Sequence, residues 1–249
     1  MFASHFRALT LALALASLAS ADPGIEALVA EGLTQAQRED HSNAVDAFDK
    51  AIRQSPAAAT PYYWRGRSLF CLAKIKPAVA DFDRFVELAP KMESQQWERG
   101  IALYYAGEFE RGARQFELYQ TYHDNDVENS TWRYLCVARS KGVDEAIKTM
   151  LPIKDDPRVP MMKIYDLYRG KLAPADVLAA VKADSPRAEE LTARQFYAHL
   201  YLGLWYEAAG KTELAAKHVG EAERHKIGHY MWNVAQVHNQ LRRDEQEKK

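Results

Sequence analysis

The side chains in this chain most able to carry acid–base or metal chemistry are eight histidines and two cysteines, and their spacing decides how much of it is open to them. His225, His229 and His238 are close enough in sequence to raise a metal site. Gly228 interrupts the helical register between them, however, and no thiol or carboxylate completes a tetrahedral ligand set. They read as surface or capping imidazoles. Asp155-Asp156 stands directly before Pro157 and reads as a turn, because a calcium loop needs more oxygen ligands at set intervals. No glycine-rich phosphate loop, nucleophile elbow, Cys-x-x-Cys pair or His-Glu-x-x-His helix occurs. The expectation is a binding protein and not an enzyme, with no catalytic residue, no metal and no cofactor.

Charge narrows the partners. The formal net charge is only −1, with no clustered basic run of the kind that tracks a phosphate backbone or an anionic membrane surface. Nucleic acid is therefore not expected. Residues 1–21 read as a secretory signal peptide: Arg7 opens it, Ala8–Leu18 is an uncharged Ala/Leu run, and Ala19-Ser20-Ala21 supplies the small residues before a cut. As a helix that run is roughly 16 Å long, short of a ~30 Å hydrocarbon core. No cysteine lies near the cut, so no lipid-attachment box is present there, and no later segment is apolar enough to span a bilayer. The mature chain is expected to be exported, periplasmic or secreted.

The elements that position any binding surface emerge from internal periodicity. Gly32, Gly66 and Gly100 are 34 residues apart; Phe48, Phe82 and Phe116 keep the same step, as do Ala44, Ala78 and Gly112, and Pro56 and Pro90. Glycine in mid-helix costs about 1 kcal/mol relative to Ala, a cost tolerable where a partner helix crosses too closely for a Cβ. The small residues at 44, 78 and 112 match it on the second helix, and the Phe column fills the space beside them. Pro56 and Pro90 end second helices. Three regular helix pairs are predicted at 25–58, 59–92 and 93–126, within a regular segment 22–126. Residues 127–186 read as degenerate: Tyr134 replaces the crossing Gly, Met150 replaces the Phe, and four prolines limit 157–186 to two short helices near 161–169 and 174–184. A last good pair covers 187–229, and 230–249 is a capping helix with a charged tail, because a repeat array must cover its last open core. Cys71 and Cys136, two repeats apart, are expected to stay unbridged.

These columns resemble the tetratricopeptide repeat superfamily over nearly all of 25–229. The resemblance implies an all-α array of helix–turn–helix units, a right-handed superhelical solenoid closed by a C-terminal capping helix. A narrower likeness lies in Trp132-Arg133-Tyr134-Leu135, in Ile164-Tyr165-Asp166-Leu167-Tyr168-Arg169-Gly170 and in Tyr201-Leu202-Gly203-Leu204-Trp205-Tyr206, which look like the NlpI group of envelope proteins. That likeness implies a periplasmic adaptor, dimeric, that brings cell-wall hydrolases to a processing protease.

In the fold the resemblance implies, first helices line the concave side. Its groove positions here are Tyr63, Arg67 and Phe70; Trp97, Ile101, Tyr104 and Tyr105; Thr131, Leu135 and Arg139; and Val29, Leu33 and Gln37. Aromatic rings with a few guanidiniums suit a protein or peptide partner. The same rings would serve as inter-repeat core, and the sequence leaves both readings open. The alternative function is a structural subunit that associates through its ends or its convex face.

Overall fold

A computed structural model describes residues 23–248; the expected signal peptide lies outside them. The described residues form thirteen α-helices and no strand. Twelve make successive pairs: α1 (Pro23–Gln37) with α2 (His41–Gln54), α3 (Ala59–Cys71) with α4 (Ile75–Leu88), α5 (Trp97–Tyr105) with α6 (Phe109–Tyr122), α7 (Val127–Lys141) with α8 (Val143–Lys148), α9 (Met161–Tyr168) with α10 (Pro174–Val181), and α11 (Ala188–Ala208) with α12 (Thr212–Arg224). Helix α13 (Tyr230–Glu247) ends the chain. The chain divides into two compact units at Met92/Glu93, beside a short 3-10 helix at Pro90–Gln95.

Five of the six pairs are closed by the same turn. Their first helices end in a residue with positive φ, Glu39 (64°), Ala73 (55°), Gly107 (79°), Gly170 (73°) and Gly210 (70°), and the following N–H reaches back to a carbonyl five residues earlier. This is a Schellman ending, which satisfies carbonyls that the helix would otherwise leave open. Positions 39, 73 and 107 are a further column of period 34, hidden in the sequence because its residue type changes. Only Gly107 adopts that conformation freely; Glu39 and Ala73 bear a strain of about 1–2 kcal/mol.

In residues 23–92 the crossing column behaves as its spacing predicts. A Cβ on Gly32 would lie 2.5 Å from the Phe48 ring, and one on Gly66 would meet the Ala78 carbonyl and Phe82 at 3.3 Å. Ala44, Phe48, Ala78 and Phe82 are completely buried. Arg65 on α3 clips the second helices together, with Nη1 2.5 Å from Asp49 of α2 and with Nε and Nη2 at 2.7 and 2.6 Å from Asp81 of α4.

In residues 93–248 the column continues and then wears out. Gly100 lies under Phe116, whose ring would be 2.6 Å from a Cβ, and Gly203 packs on Val219. Arg99 donates to Gln115 at 2.6 Å, and Arg133 donates to Glu117 at 2.8 Å and to the Thr149 carbonyl. Arg65, Arg99 and Arg133 are thus another column of period 34, each bonding a partner 16 positions on. The worn fourth pair has a second helix of only six residues. Tyr134 fits where Gly would be expected because it turns edge-on to Tyr168 of α9, 4.9 Å away. The segment after α8 is held by charge instead of by helix packing. Arg158 donates to Asp126, Glu128 and Asp156 at 2.6–2.9 Å, and Tyr201 of α11 donates to Glu128 at 2.8 Å. Asp156 is therefore a buried member of this clasp, more than the turn residue its sequence context predicts. Burial and the neighbouring carboxylates raise the Asp126 pKa, opposed by Arg158.

Cys71 and Cys136 are both free thiols. Among the described residues no helix is long and apolar enough to cross a membrane. The crossing geometry makes a direct prediction. Gly203→Leu would drive a side chain into Val219, and Gly66→Leu into the α4 backbone, so each should cost at least ~1–3 kcal/mol. Thermal or urea unfolding of the two variants measures this; an unchanged midpoint for Gly66→Leu would refute the crossing assignment.

Candidate functional site

Residues Trp97, Ile101 and Tyr104 follow each other at helical spacing along one face of α5, with Tyr105 beside them, and Leu135 and Arg139 continue that surface on α7. In residues 93–248 this face is not empty. Helix α13 runs along α5 in the same direction. Trp97 stacks on His229 with centroids 6.0 Å apart and meets Tyr230 edge-on at 5.7 Å; a helix length later, the Tyr105 hydroxyl is 3.1 Å from Nδ1 of His238. Trp132 of α7 packs edge-on to Tyr104 and Tyr105 at 5.4 and 6.1 Å.

Charge completes the seat. Glu207, in the last turn of α11, pairs with Arg242 of α13, lies 3.3 Å from Nε2 of His238 and 3.8 Å from Arg139. Burial pushes the Glu207 pKa up, while Arg242 and Arg139 pull it down. Burial, reinforced by the same two arginines, lowers His238 to about 3, so its imidazole is neutral. The neutral ring shares a hydrogen bond with the Tyr105 hydroxyl at Nδ1 and turns Nε2 towards Glu207.

The groove residues read from the sequence therefore divide. Ile101, Tyr104 and Leu135 are fully or almost fully buried, and so are Tyr63 and Phe70 in residues 23–92. These five take the packing role that the sequence left open beside docking. Tyr63 makes ring contacts with Phe82 and Phe85 at 6.1 and 5.3 Å. Trp97 and Tyr105 are half-buried against α13. Arg139 is exposed and lies over Phe109 at 4.9 Å, and Arg67 is half-buried over Trp64 at 5.1 Å and Tyr63 at 5.7 Å. Of the three C-terminal histidines, His229 is a helix cap that accepts from the Met231 N–H, whereas His238 is buried, against the surface reading.

No protein-family model matches the chain. Solved structures do share its arrangement. A tetratricopeptide repeat protein from Parabacteroides merdae ATCC 43184 superposes with a TM-score of 0.54 at 14% identity, covering 91% of this chain and 88% of that one. MamA 41-end from Desulfovibrio magneticus RS-1 superposes with a TM-score of 0.52 at 13% identity, covering 82% of this chain and 96% of that one. The fold is the tetratricopeptide fold. At such identities the likeness carries the fold alone.

Within this tetratricopeptide fold a second polar cluster escaped sequence reading because its members come from two helices. His199 of α11 and His218 of α12 bring their Nδ1 atoms within 3.0 Å, and Tyr206 and His225 extend the ring stack on either side. Burial, then the proximity of His218, lowers His199 to about 4; burial lowers His218 as well. Among the described residues no group of three or more His, Cys, Asp or Glu side chains is arranged to hold a metal ion.

Two predictions follow from these contacts. Trp97→Ala removes the stack on His229 and Tyr230 and should cost at least about 2 kcal/mol of unfolding free energy, short of the ~3–5 kcal/mol of a fully buried Trp. Urea unfolding measures it, and a cost below about 0.5 kcal/mol would mean that α13 does not seat on Trp97. Histidines with depressed folded pKa values also leave the folded chain with fewer bound protons than the unfolded one, whose imidazoles titrate near ~6.5. Their contribution is present above that value and is lost as pH falls towards the folded values of about 4 for His199 and about 3 for His238. Glu207 acts in the opposite sense, so the comparison of variants carries the test. Between pH 7.5 and 5, a His199→Gln/His238→Gln protein should lose less stability than wild type.

Proposed function

We propose that the protein is an exported, non-catalytic scaffold that docks a protein or peptide segment on the first-helix face of residues 23–92. The observation that carries this reading is the Arg67 guanidinium stacked over Trp64 and Tyr63 on α3, with partly exposed Val29 and Leu33 and exposed Gln37 at the corresponding positions of α1. A planar cation over aromatic rings next to aliphatic surface is a combination that protein interfaces favour. The tetratricopeptide fold supports a docking role, and the corresponding face of residues 93–248 is taken by α13. The narrower likeness to the NlpI group extends the proposal to envelope hydrolases and a processing protease as the proteins brought together. The alternative, assembly through the ends or the convex face, would draw on apolar surface that is dispersed among the described residues. The exposed large apolar side chains among the described residues are Tyr122, Ile147, Leu178 and Leu214, on four different helices.

Peptides selected from a random library on the full mature chain provide the test. A Leu33→Asp/Arg67→Ala protein should bind them with a loss of about 2 kcal/mol or more while its unfolding midpoint stays close to wild type. Unchanged affinity in a folded variant would move the site off this face.

A further inference from the structure

The first-helix face of residues 93–248 is filled by a helix of the same chain, and the filler records which chemistry the face accepts. The aromatic end of α13 seats on Trp97, His238 bonds Tyr105, and Arg242 meets the buried carboxylate of Glu207. We propose that α13 is an exchangeable occupant of this face, and that the partner class admitted there is an amphipathic helix bearing an aromatic residue at one end and an arginine twelve positions further on. The inference rests on the reading of the chain as a docking scaffold, but it concerns a different face.

Three observations support exchange over a permanent cap. The seat is partly polar and incompletely satisfied: Nε1 of Trp132 and Nε of Arg242 are buried without a hydrogen-bond acceptor, and such orphaned donors make the seated state less favourable than its buried area suggests. Helix α12 ends at Arg224, and the connector to α13 contains Gly228, exposed and with open space around its Cα. Movement there would release α13 without unwinding α12, at the cost of the Trp232 and Asn239 hydrogen bonds to Glu223 of α12. The contact is also made by one helix lying along another, so an incoming helix of matching pattern can replace it contact for contact, which is how helix-in-groove recognition works. A population shift of this kind needs the incoming helix to meet the same floor, Trp97, Tyr105 and Glu207, better than α13 does.

The test uses the intact mature chain and a fluorescent synthetic peptide with the sequence of residues 226–247. An Arg242→Glu/His238→Ala chain, whose own α13 is poorly seated, should bind the peptide at least tenfold more tightly than wild type. Adding Glu207→Gln to that chain should weaken peptide binding at least tenfold. Independently, hydrogen exchange on wild type should show α13 amides opening at least tenfold faster than those of α11 and α12, by local release. If α13 exchanges only together with α11, or if the folded double variant takes no peptide, α13 is a fixed cap and the proposal fails. Should the double variant not fold, the exchange rates on wild type decide alone. Neither readout depends on Leu33 or Arg67, so a failure here and a failure of the proposed docking face are distinguishable.

Discussion

The constraint on which the rest of the structure depends is the closeness of the two helices within each pair. A Cβ at Gly32, Gly100 or Gly203 would approach a side chain of the partner helix to 2.4–2.6 Å, so the backbones can meet only where the first helix has no side chain. That approach lets Phe48 and Phe116 lie flat across the crossing and become fully buried. It also fixes where the loop must turn, which is why positions 39, 73 and 107 adopt positive φ whatever their residue type. The arginines at 65, 99 and 133 then fall where they reach a second helix, or for Arg133 the residue that caps it, sixteen residues on. One steric requirement is thereby read out in four chemically different columns.

Where the crossing column fails, other interactions take over, and the chain changes character. After α7 the second helix shrinks to one and a half turns, and the backbone from Thr149 to Pro160 is held by Arg158 among three carboxylates. A single guanidinium facing Asp126, Glu128 and Asp156 leaves an excess of negative charge in a desolvated place, and the raised Asp126 pKa is the result. Breaking such a clasp from one side strands buried charge, so it specifies the path of the segment strongly even though its net contribution to stability is modest. The long helix α11 emerges from this region and carries Glu207 to the seat of α13.

The same principle shapes the functional surface. Rings on first helices are available both as docking anchors and as packing, and burial decides which. Tyr104, Ile101 and Leu135 went to packing; Trp97 and Tyr105 went to holding the chain's own terminal helix. What remains at least partly exposed in residues 23–92 is a cation over rings and aliphatic surface, a modest but chemically defined face.

Sequence alone determined the helix-pair repeat, its period, the crossing glycines and the buried Phe column, because these depend on contacts between residues at a constant separation along the chain. It also placed two short helices near 161–169 and 174–184, which the structure shows at 161–168 and 174–181, and the terminal helix, since prolines and apolar spacing are local signals. The Schellman turns at Glu39 and Ala73 were invisible because backbone position, and not residue type, puts them in the left-handed region. Only the tertiary structure decided that α13 lies along α5, that His238 is buried and neutral against Tyr105 and Glu207, and that His199 meets His218. Those pairings join residues at separations that no period relates, such as 105 with 238, and their energies come from burial and charge that exist only once distant helices are brought together.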